Sequence, residues 1–470
     1  SSEVLEDVDT RAAFHRMLGN VLLHRGKLDD AESQFQMLEG LGTSHERGDW
    51  VARGLEYRGR IEWYRGRLDG ARSLFEEGLT RVGSDESATA ADLHNDLGIV
   101  FYTRGDAERA FEEHAQALKL RERLGDRLAL AKSLSNFGNL LATFRDDLEA
   151  AQEHYQRALE LAREAGDRQQ MSLVLNNLGY MAMERGEWEA AIESFGRVGR
   201  LQEEMGWFFL TLLTLQNQVQ CEISLGRIGD ALAHLRTCQE RGDAILEPIN
   251  RVNTRFNRFD ACLRALLDDE AEQAKEDARR LVAQLGVPEQ QEEILLREGR
   301  WLVARGKWDE AVRAFALAKE AARKLNHRPV ELLAEAHRCR AAARTGDDTG
   351  GECPSELRGR LPLQALLRYL FADAEAERGP TLHTATALRE AGELANRIGE
   401  ICLARAAFER EAHVWHVLAK ADEEQHALRR ALLALNALEA QLPERARPSF
   451  LVHPRNQPLL SRRSELLEQI

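Results

Sequence analysis

Apolar residues recur along this chain at three- and four-residue spacing, in stretches several helical turns long that are separated by short polar breaks. Residues 173–183 and 188–198 are two such stretches, and their spacing predicts amphipathic helices. Gly186 stands between them, and its tolerance of positive φ predicts a turn that ends the first helix. The same arrangement returns along the sequence as a turn glycine, an alanine five residues on, and often an aromatic four residues after that. It reads Gly26, Ala31 and Phe35; Gly66, Ala71 and Phe75; Gly186, Ala191 and Phe195; Gly306, Ala311 and Phe315. Gly105 with Ala110 and Gly226 with Ala231 keep the glycine and alanine, and Gly346 continues the series. Successive glycines are 40, 39, 81, 40, 80 and 40 residues apart. The two double steps predict hidden repeats whose turns are acidic, at Asp146-Asp147 and Asp268-Asp269. Each repeat is therefore a helix pair. A single pair cannot bury its own apolar stripe, so the pairs must stack on one another. The glycine of Leu-Gly pairs such as Leu178-Gly179, and the alanine, are small where helices approach. The aromatic is expected to fill the space between neighbouring pairs.

At Leu97-Gly98 with Tyr102, Gly105 and Ala110, and at Leu178-Gly179 with Gly186, Ala191 and Phe195, the chain resembles the tetratricopeptide (TPR) family. The likeness is to its longer repeats of about 40 residues, as in kinesin light chains, Pins-type adaptors and bacterial signalling proteins. It implies an all-α, right-handed superhelical solenoid of antiparallel helix pairs, with about eight clear repeats followed by degenerate ones and a cap. A regular array is expected over 1–345. An irregular break with one helix, 361–377, follows over 346–380, then degenerate repeat-like helices over 381–441. A proline-bearing tail, 442–470, closes with a short helix at about 459–468 that caps the array and links it to an output domain in a longer chain.

Composition narrows the function. Among 470 residues, 30% are charged and Asp plus Glu outnumber Lys plus Arg by 78 to 64. A formal charge of −14 speaks against a nucleic-acid partner, which needs a basic face. No apolar run has the length of a membrane span. The opening Ser1-Ser2-Glu3-Val4 resembles no secretory signal, and without an initiator Met it fits a processed or excised chain. The six cysteines include no C-x-x-C pair and read as core thiols in a reducing, cytoplasmic compartment.

Catalytic signatures are absent from the sequence. Gly26-Lys27 and Gly306-Lys307 are repeat turns without the glycine and hydroxyl residue of a phosphate-binding loop, and neither a G-x-S-x-G elbow nor an H-E-x-x-H helix occurs. No cofactor is expected. Glu409, His413 and His416 share one helix face and form a weak metal candidate against ordinary packing around Trp415.

The resemblance places the first helix of each repeat on the concave side. The inward positions are then Arg16 and Asn20; Glu56 and Arg60; Asn95; Asn136 and Asn139; Asn176, Asn177 and Tyr180; Gln216, Asn217 and Gln220; Asn257 and Asp260; Arg297 and Arg300. Asparagine is a poor mid-helix residue, yet Asn136, Asn177, Asn217 and Asn257 fall 41, 40 and 40 apart. A primary amide, with two donors and an acceptor, matches an extended peptide backbone. The resemblance implies peptide clamping by Asn95, Asn136, Asn177 and Asn217. The competing reading is structural bonding between adjacent repeats. Arg16, Arg53, Arg60, Arg297 and Arg300 either receive acidic groups of a ligand or pair with Glu56, Glu293 and Glu298. The expected partner is a protein or peptide segment, acidic outside its amide-bound centre. The alternatives are a small-molecule-sensing arm of a larger signalling ATPase, kinase or transcription regulator, and a scaffold that oligomerises through its C-terminal third.

Overall fold

The computed structural model describes residues 7–82, 87–145, 147–243, 246, 248–285, 290–325, 327–346, 361–442, 444, 446–453 and 455–467. The described residues are 87% helical and strandless, with 24 α-helices in consecutive packed pairs. Two compact units divide at Asn177 and Leu178. The first contains α1 (Val8–His24), α2 (Leu28–Ser44), α3 (Gly48–Tyr64), α4 (Leu68–Arg81), α5 (Ala88–Arg104), α6 (Ala107–Leu124), α7 (Arg127–Leu140), α8 (Leu148–Glu164) and the first part of α9 (Arg168–Arg185). The second continues with α10 (Trp188–Glu204), α11 (Phe208–Ser224), α12 (Ile228–Gly242), α13 (Pro248–Arg264), α14 (Asp268–Leu285), α15 (Gln291–Ala304), α16 (Trp308–Lys324), α17 (Arg328–Arg344) and α18 (Leu361–Arg378). It ends with α19 (Leu382–Arg397), α20 (Ile401–Val417), α21 (Ala421–Gln441) and three short helices, α22 (Arg447–Val452), α23 (Gln457–Leu460) and α24 (Arg463–Leu467).

The repeated residues explain the pairing. The recurring alanine is fully buried in every repeat from Ala31 through Ala311. The aromatic does not chiefly fill the gap between neighbouring pairs, as the sequence led us to expect. It lies on the helical glycine of its own pair. A Cβ added at Gly19 would stand 2.5 Å from Phe35, at Gly59 2.4 Å from Phe75, and at Gly299 2.4 Å from Phe315. Gly179 with Phe195 and Gly392 with Phe408 repeat the contact at 2.6 and 2.5 Å. Glycine is required here for close approach, since any side chain would drive the ring out. Phe35 also stacks on Tyr57 of the next pair, with centroids 4.6 Å apart, so its second face serves the predicted role.

Two repeats do without the helical glycine. Val219 and Leu235 occupy the glycine and aromatic places of one, both inside the same apolar cluster. Phe259 takes the glycine place of the next, and Lys275 the aromatic place, its ammonium 3.2 Å from Glu298. Gly138 meets Tyr155 seventeen residues on where the others meet their ring after sixteen. The extra residue is absorbed by a π-helical turn, Leu141–Arg145, the usual way a helix takes in one residue.

The turns depart from expectation at one hidden repeat. Its left-handed position is Leu266, at φ 57°, and Asp268 and Asp269 instead open α14, where acidic side chains suit the helix N-terminus. Glu46 and Ala419 are the other non-glycine residues at positive φ among those described. Asp146 lies outside the described residues, as do Cys353 and nearly all of the loop after Gly346. The expected tail helix is two short ones, α23 and α24, which together with α22 bury Phe450, Leu459 and Leu466 against α21. The apolar run Trp207-Phe208-Phe209 is not core throughout. Phe208 is 64% exposed, because the run begins α11 at its solvent-facing end.

Unit 2 closes on itself. The turn after α9 meets the end of α19, where a Cβ at Gly186 would lie 2.6 Å from that of Ile398. Gly226, after α11, faces Leu438 of α21, and Gly399 faces Trp188 and Leu225. One apolar cluster joins Val219, Ile223 and Ile228 to Leu394, Ile398, Leu435 and Leu438. Arg264 pairs with Glu400, 136 residues away, at 3.0 Å.

A candidate peptide-binding cleft

In unit 1 the first helices of successive pairs, α3, α5, α7 and α9, line a polar cleft of about 620 Å³. Of the residues predicted to face a ligand, it gathers Arg53, Glu56, Arg60, Asn95, Asn136, Asn139 and Asn177. Their amides form two short ladders. Asn136 Nδ2 donates to Asn95 Oδ1 at 2.9 Å, and Asn95 Nδ2 to Asp96 at 3.2 Å. Asn177 Nδ2 donates to Asn139 Oδ1 at 3.0 Å and to Ser135 Oγ at 3.4 Å, while the Tyr155 hydroxyl donates to Asn139 at 2.6 Å. The asparagines therefore do make bonds between adjacent repeats. The Oδ1 atoms of Asn136 and Asn177 have no hydrogen-bond partner among the described residues and remain as acceptors at the half-buried cleft wall.

The arginines of the cleft are already neutralised. Arg53 meets Glu56 at 2.6 Å and Asp92 at 2.7 Å, Arg60 meets Asp96 at 2.6 Å and Glu56 at 2.7 Å, and Arg121 meets Asp92 at 2.7 Å. Burial pushes the Glu56 carboxyl up to about 7, outweighing the pull of Arg60 and Arg53. Arg121, Asp92 and Lys132 were not singled out from sequence. Asp92 and Lys132 sit one turn from the asparagine positions, so the periodicity that marked the asparagines also marks them.

The remaining predicted residues stand elsewhere. Arg16 is exposed on α1 and Asn176 is half-buried on α9, and neither lines the cleft. In unit 2, Asn217 bonds the Tyr180 hydroxyl and Gln220 is exposed. Gln216 donates to the Asn250 carbonyl at 2.9 Å and to Thr254 at 2.7 Å, which ties α11 to α13. Asn257 is buried. Arg297 lies between Asp260, at 2.9 Å, and Glu293, over the Phe256 ring. Arg300 also reaches Asp260, at 2.5 Å, and lines a separate cavity of unit 2. Glu409, His413 and His416 do not converge as a metal site. Glu409 accepts from Arg405 at 3.0 Å, His416 pairs with Glu424 at 3.1 Å, and His413 is exposed. Among the described residues no group of three His, Cys, Asp or Glu is placed to hold a metal. Nor is any described helix long and apolar enough to cross a membrane. Cys221, Cys238, Cys262 and Cys339 are buried free thiols.

Helix pairs of about 40 residues, knit by a glycine–aromatic contact and presenting their first helices to a cleft, define a helical repeat protein. The family model for the tetratricopeptide repeat matches residues 89–164. No curated protein sequence matches it significantly. Among solved structures it is similar to the apo form of RapI, at 17% identity and a TM-score of 0.48, covering 59% of this chain and 99% of that one. Aspartyl phosphate phosphatase F from Bacillus subtilis matches at 18% identity and 0.46, covering 60% and 73%. BtubC from P. vanneervenii matches at 17% identity and 0.35, covering 56% and 92%.

Proposed function

We propose that this protein is a non-enzymatic interaction module whose unit 1 cleft holds an extended peptide or a partner's extended segment. The observation that supports the reading is the paired amide ladder. Asn136 and Asn177 each commit Nδ2 to a neighbouring repeat, which fixes the side chain and turns its Oδ1 toward a ligand N–H. Preorganised amides lose little side-chain entropy on binding. Each hydrogen bond contributes about 0.5–1.5 kcal/mol net, so a handful fits a ligand of roughly micromolar affinity. Since the cleft arginines are paired with Glu56, Asp92 and Asp96, recognition rests on the amides, and acidic residues in the ligand are secondary to it.

The test is selection of a displayed random-peptide library on the protein, followed by calorimetry of the enriched peptides. The variant combining Asn136→Ala and Asn177→Ala should weaken binding at least tenfold with unchanged helical circular dichroism. Equal affinity for the wild type and the folded variant would refute the clamp.

A further inference from the structure

The closure of unit 2 leaves a half-open cavity of about 700 Å³. Its wall carries Arg264 from α13, Arg300 from α15, Arg340 and Arg344 from α17, Arg405 and Arg410 from α20, and Arg455 from the segment between α22 and α23. The chain as a whole is acidic, at −14, so this is a local reversal of sign.

Carboxylates oppose these guanidinium groups, but they are shared. Asp373, which is almost fully buried, serves Arg340 at 2.5 Å, Arg410 at 2.6 Å and Arg344 at 3.7 Å. Glu377 reaches Arg344 at 2.8 Å and also Arg410. Asp260 is divided between Arg297 and Arg300, while Arg264 has Glu400 and Arg405 has Glu409. For Arg455, no carboxylate lies within ion-pair distance among the described residues. Its guanidinium donates to the Ala304 carbonyl, and its own carbonyl accepts from Arg405 at 3.0 Å. Desolvation, with Arg340 and Arg405 nearby and Asp268 opposing, holds the Arg455 guanidinium below its ordinary value. His337, on the same wall, is kept neutral by burial and by Arg300 and Arg340.

Charges of one sign gathered in a confined, partly dehydrated space repel one another and lose hydration. An anion that enters such a space relieves both costs. Guanidinium forks match phosphoryl oxygens in a bidentate fashion. The volume lies within the range of about 300–1,000 Å³ typical of small-molecule sites, and far exceeds a bare inorganic ion. Trp308, Tyr369 and Leu438 supply apolar wall for a ligand body. We propose that this cavity is a binding site for a phosphorylated small molecule of nucleotide size, with Arg455 as the guanidinium that its phosphoryl group meets.

Isothermal calorimetry on the full chain tests this with inorganic phosphate, pyrophosphate and adenosine mono-, di- and triphosphate as probes. Pyrophosphate and the nucleotides should bind, more tightly than inorganic phosphate, with an affinity that falls as salt rises. Arg455→Ala should weaken that binding at least tenfold and Arg455→Glu should abolish it. Arg455 is exposed at the chain's C-terminal segment, so both variants are expected to fold, as circular dichroism would verify. Arg455→Lys separates fork from charge, and it should retain part of the affinity. The Asn136→Ala/Asn177→Ala variant should bind the phosphates like wild type, which keeps this site distinct from the peptide cleft. The proposal fails if no phosphoryl probe binds the folded wild type at 1 mM, a limit on the order of the weakest specific affinities. It also fails if binding is indifferent to the charge at position 455.

Discussion

His114 stands where most other repeats place a ring on a helical glycine, and it makes that repeat sensitive to acid. It is 2% exposed, and a Cβ on Gly98 would be 2.5 Å from its Cδ2. Its Nδ1 has no hydrogen-bond partner among the described residues. Burial, reinforced by the charge of Arg121, lowers its pKa from 6.5 to about 4. Because the folded value is depressed, the stability due to the neutral imidazole is complete above about pH 6.5 and drains as pH falls toward 4. At 1.36 kcal/mol per pKa unit, the loss is about 2 kcal/mol at pH 5 and approaches about 3 kcal/mol near pH 4. Phenylalanine fills the equivalent slot at Phe35, Phe75, Phe195 and Phe315, so His114→Phe should fit and should not titrate. Urea denaturation followed by far-UV circular dichroism, run on both proteins from pH 7.5 to pH 5, isolates the contribution. Carboxylates and the other histidines are common to both and cancel in the difference. The variant's advantage should grow by about 2 kcal/mol over that interval. A difference that stays constant with pH would refute the assignment of a neutral, unpartnered imidazole.

Three further outcomes are expected. Gly299→Ala should destabilise by about 1–3 kcal/mol through overpacking against Phe315, although alanine is the better helix former, and Phe315→Leu should restore part of the loss. A thermal melt in which Gly299→Ala is as stable as wild type would contradict the close approach. Ala419→Gly should stabilise by about 0.5–1 kcal/mol, the relief of a left-handed residue less glycine's greater unfolded-state entropy; a lower melting temperature would count against it. Glu411 is fully buried and accepts from Arg389 at 2.8 Å, Arg430 at 2.8 Å and Trp415 at 3.0 Å. Its replacement by Ala should cost about 3–5 kcal/mol by stranding the arginines, measured by urea denaturation, and a loss below about 1 kcal/mol would refute that network.

The repeat was legible because its packing is carried by residue types with few substitutes. Ala31 through Ala311 and the glycines under each ring have almost no room, so they recur in the sequence. Which ring meets which glycine was not legible, since sixteen residues in one pair and a neighbouring pair satisfy the same periodicity. Leu266 escaped notice because nothing in a leucine advertises positive φ, while the flanking Asp268-Asp269 looked like a turn. The asparagine positions were visible as an interval, but their bonds to one another depend on side-chain directions fixed by packing. Arg300 and Arg340 also lie one repeat apart. Their cavity stayed hidden because Arg405, Arg410 and Arg455 come from a stretch where the interval fades, and a contact such as Arg264 with Glu400 has no local signature.

Open solenoids lengthen or shorten readily, since a new repeat merely adds an internal layer. Unit 2 has lost that freedom. With Gly186 seated on Ile398 and Gly399 on Trp188, the first and last layers are each other's neighbours, so inserting or deleting about forty residues would part a seam and change the cavity's size together. Its repeat number is thereby tied to the size of what it can contain, as a ring's circumference is tied to its bore.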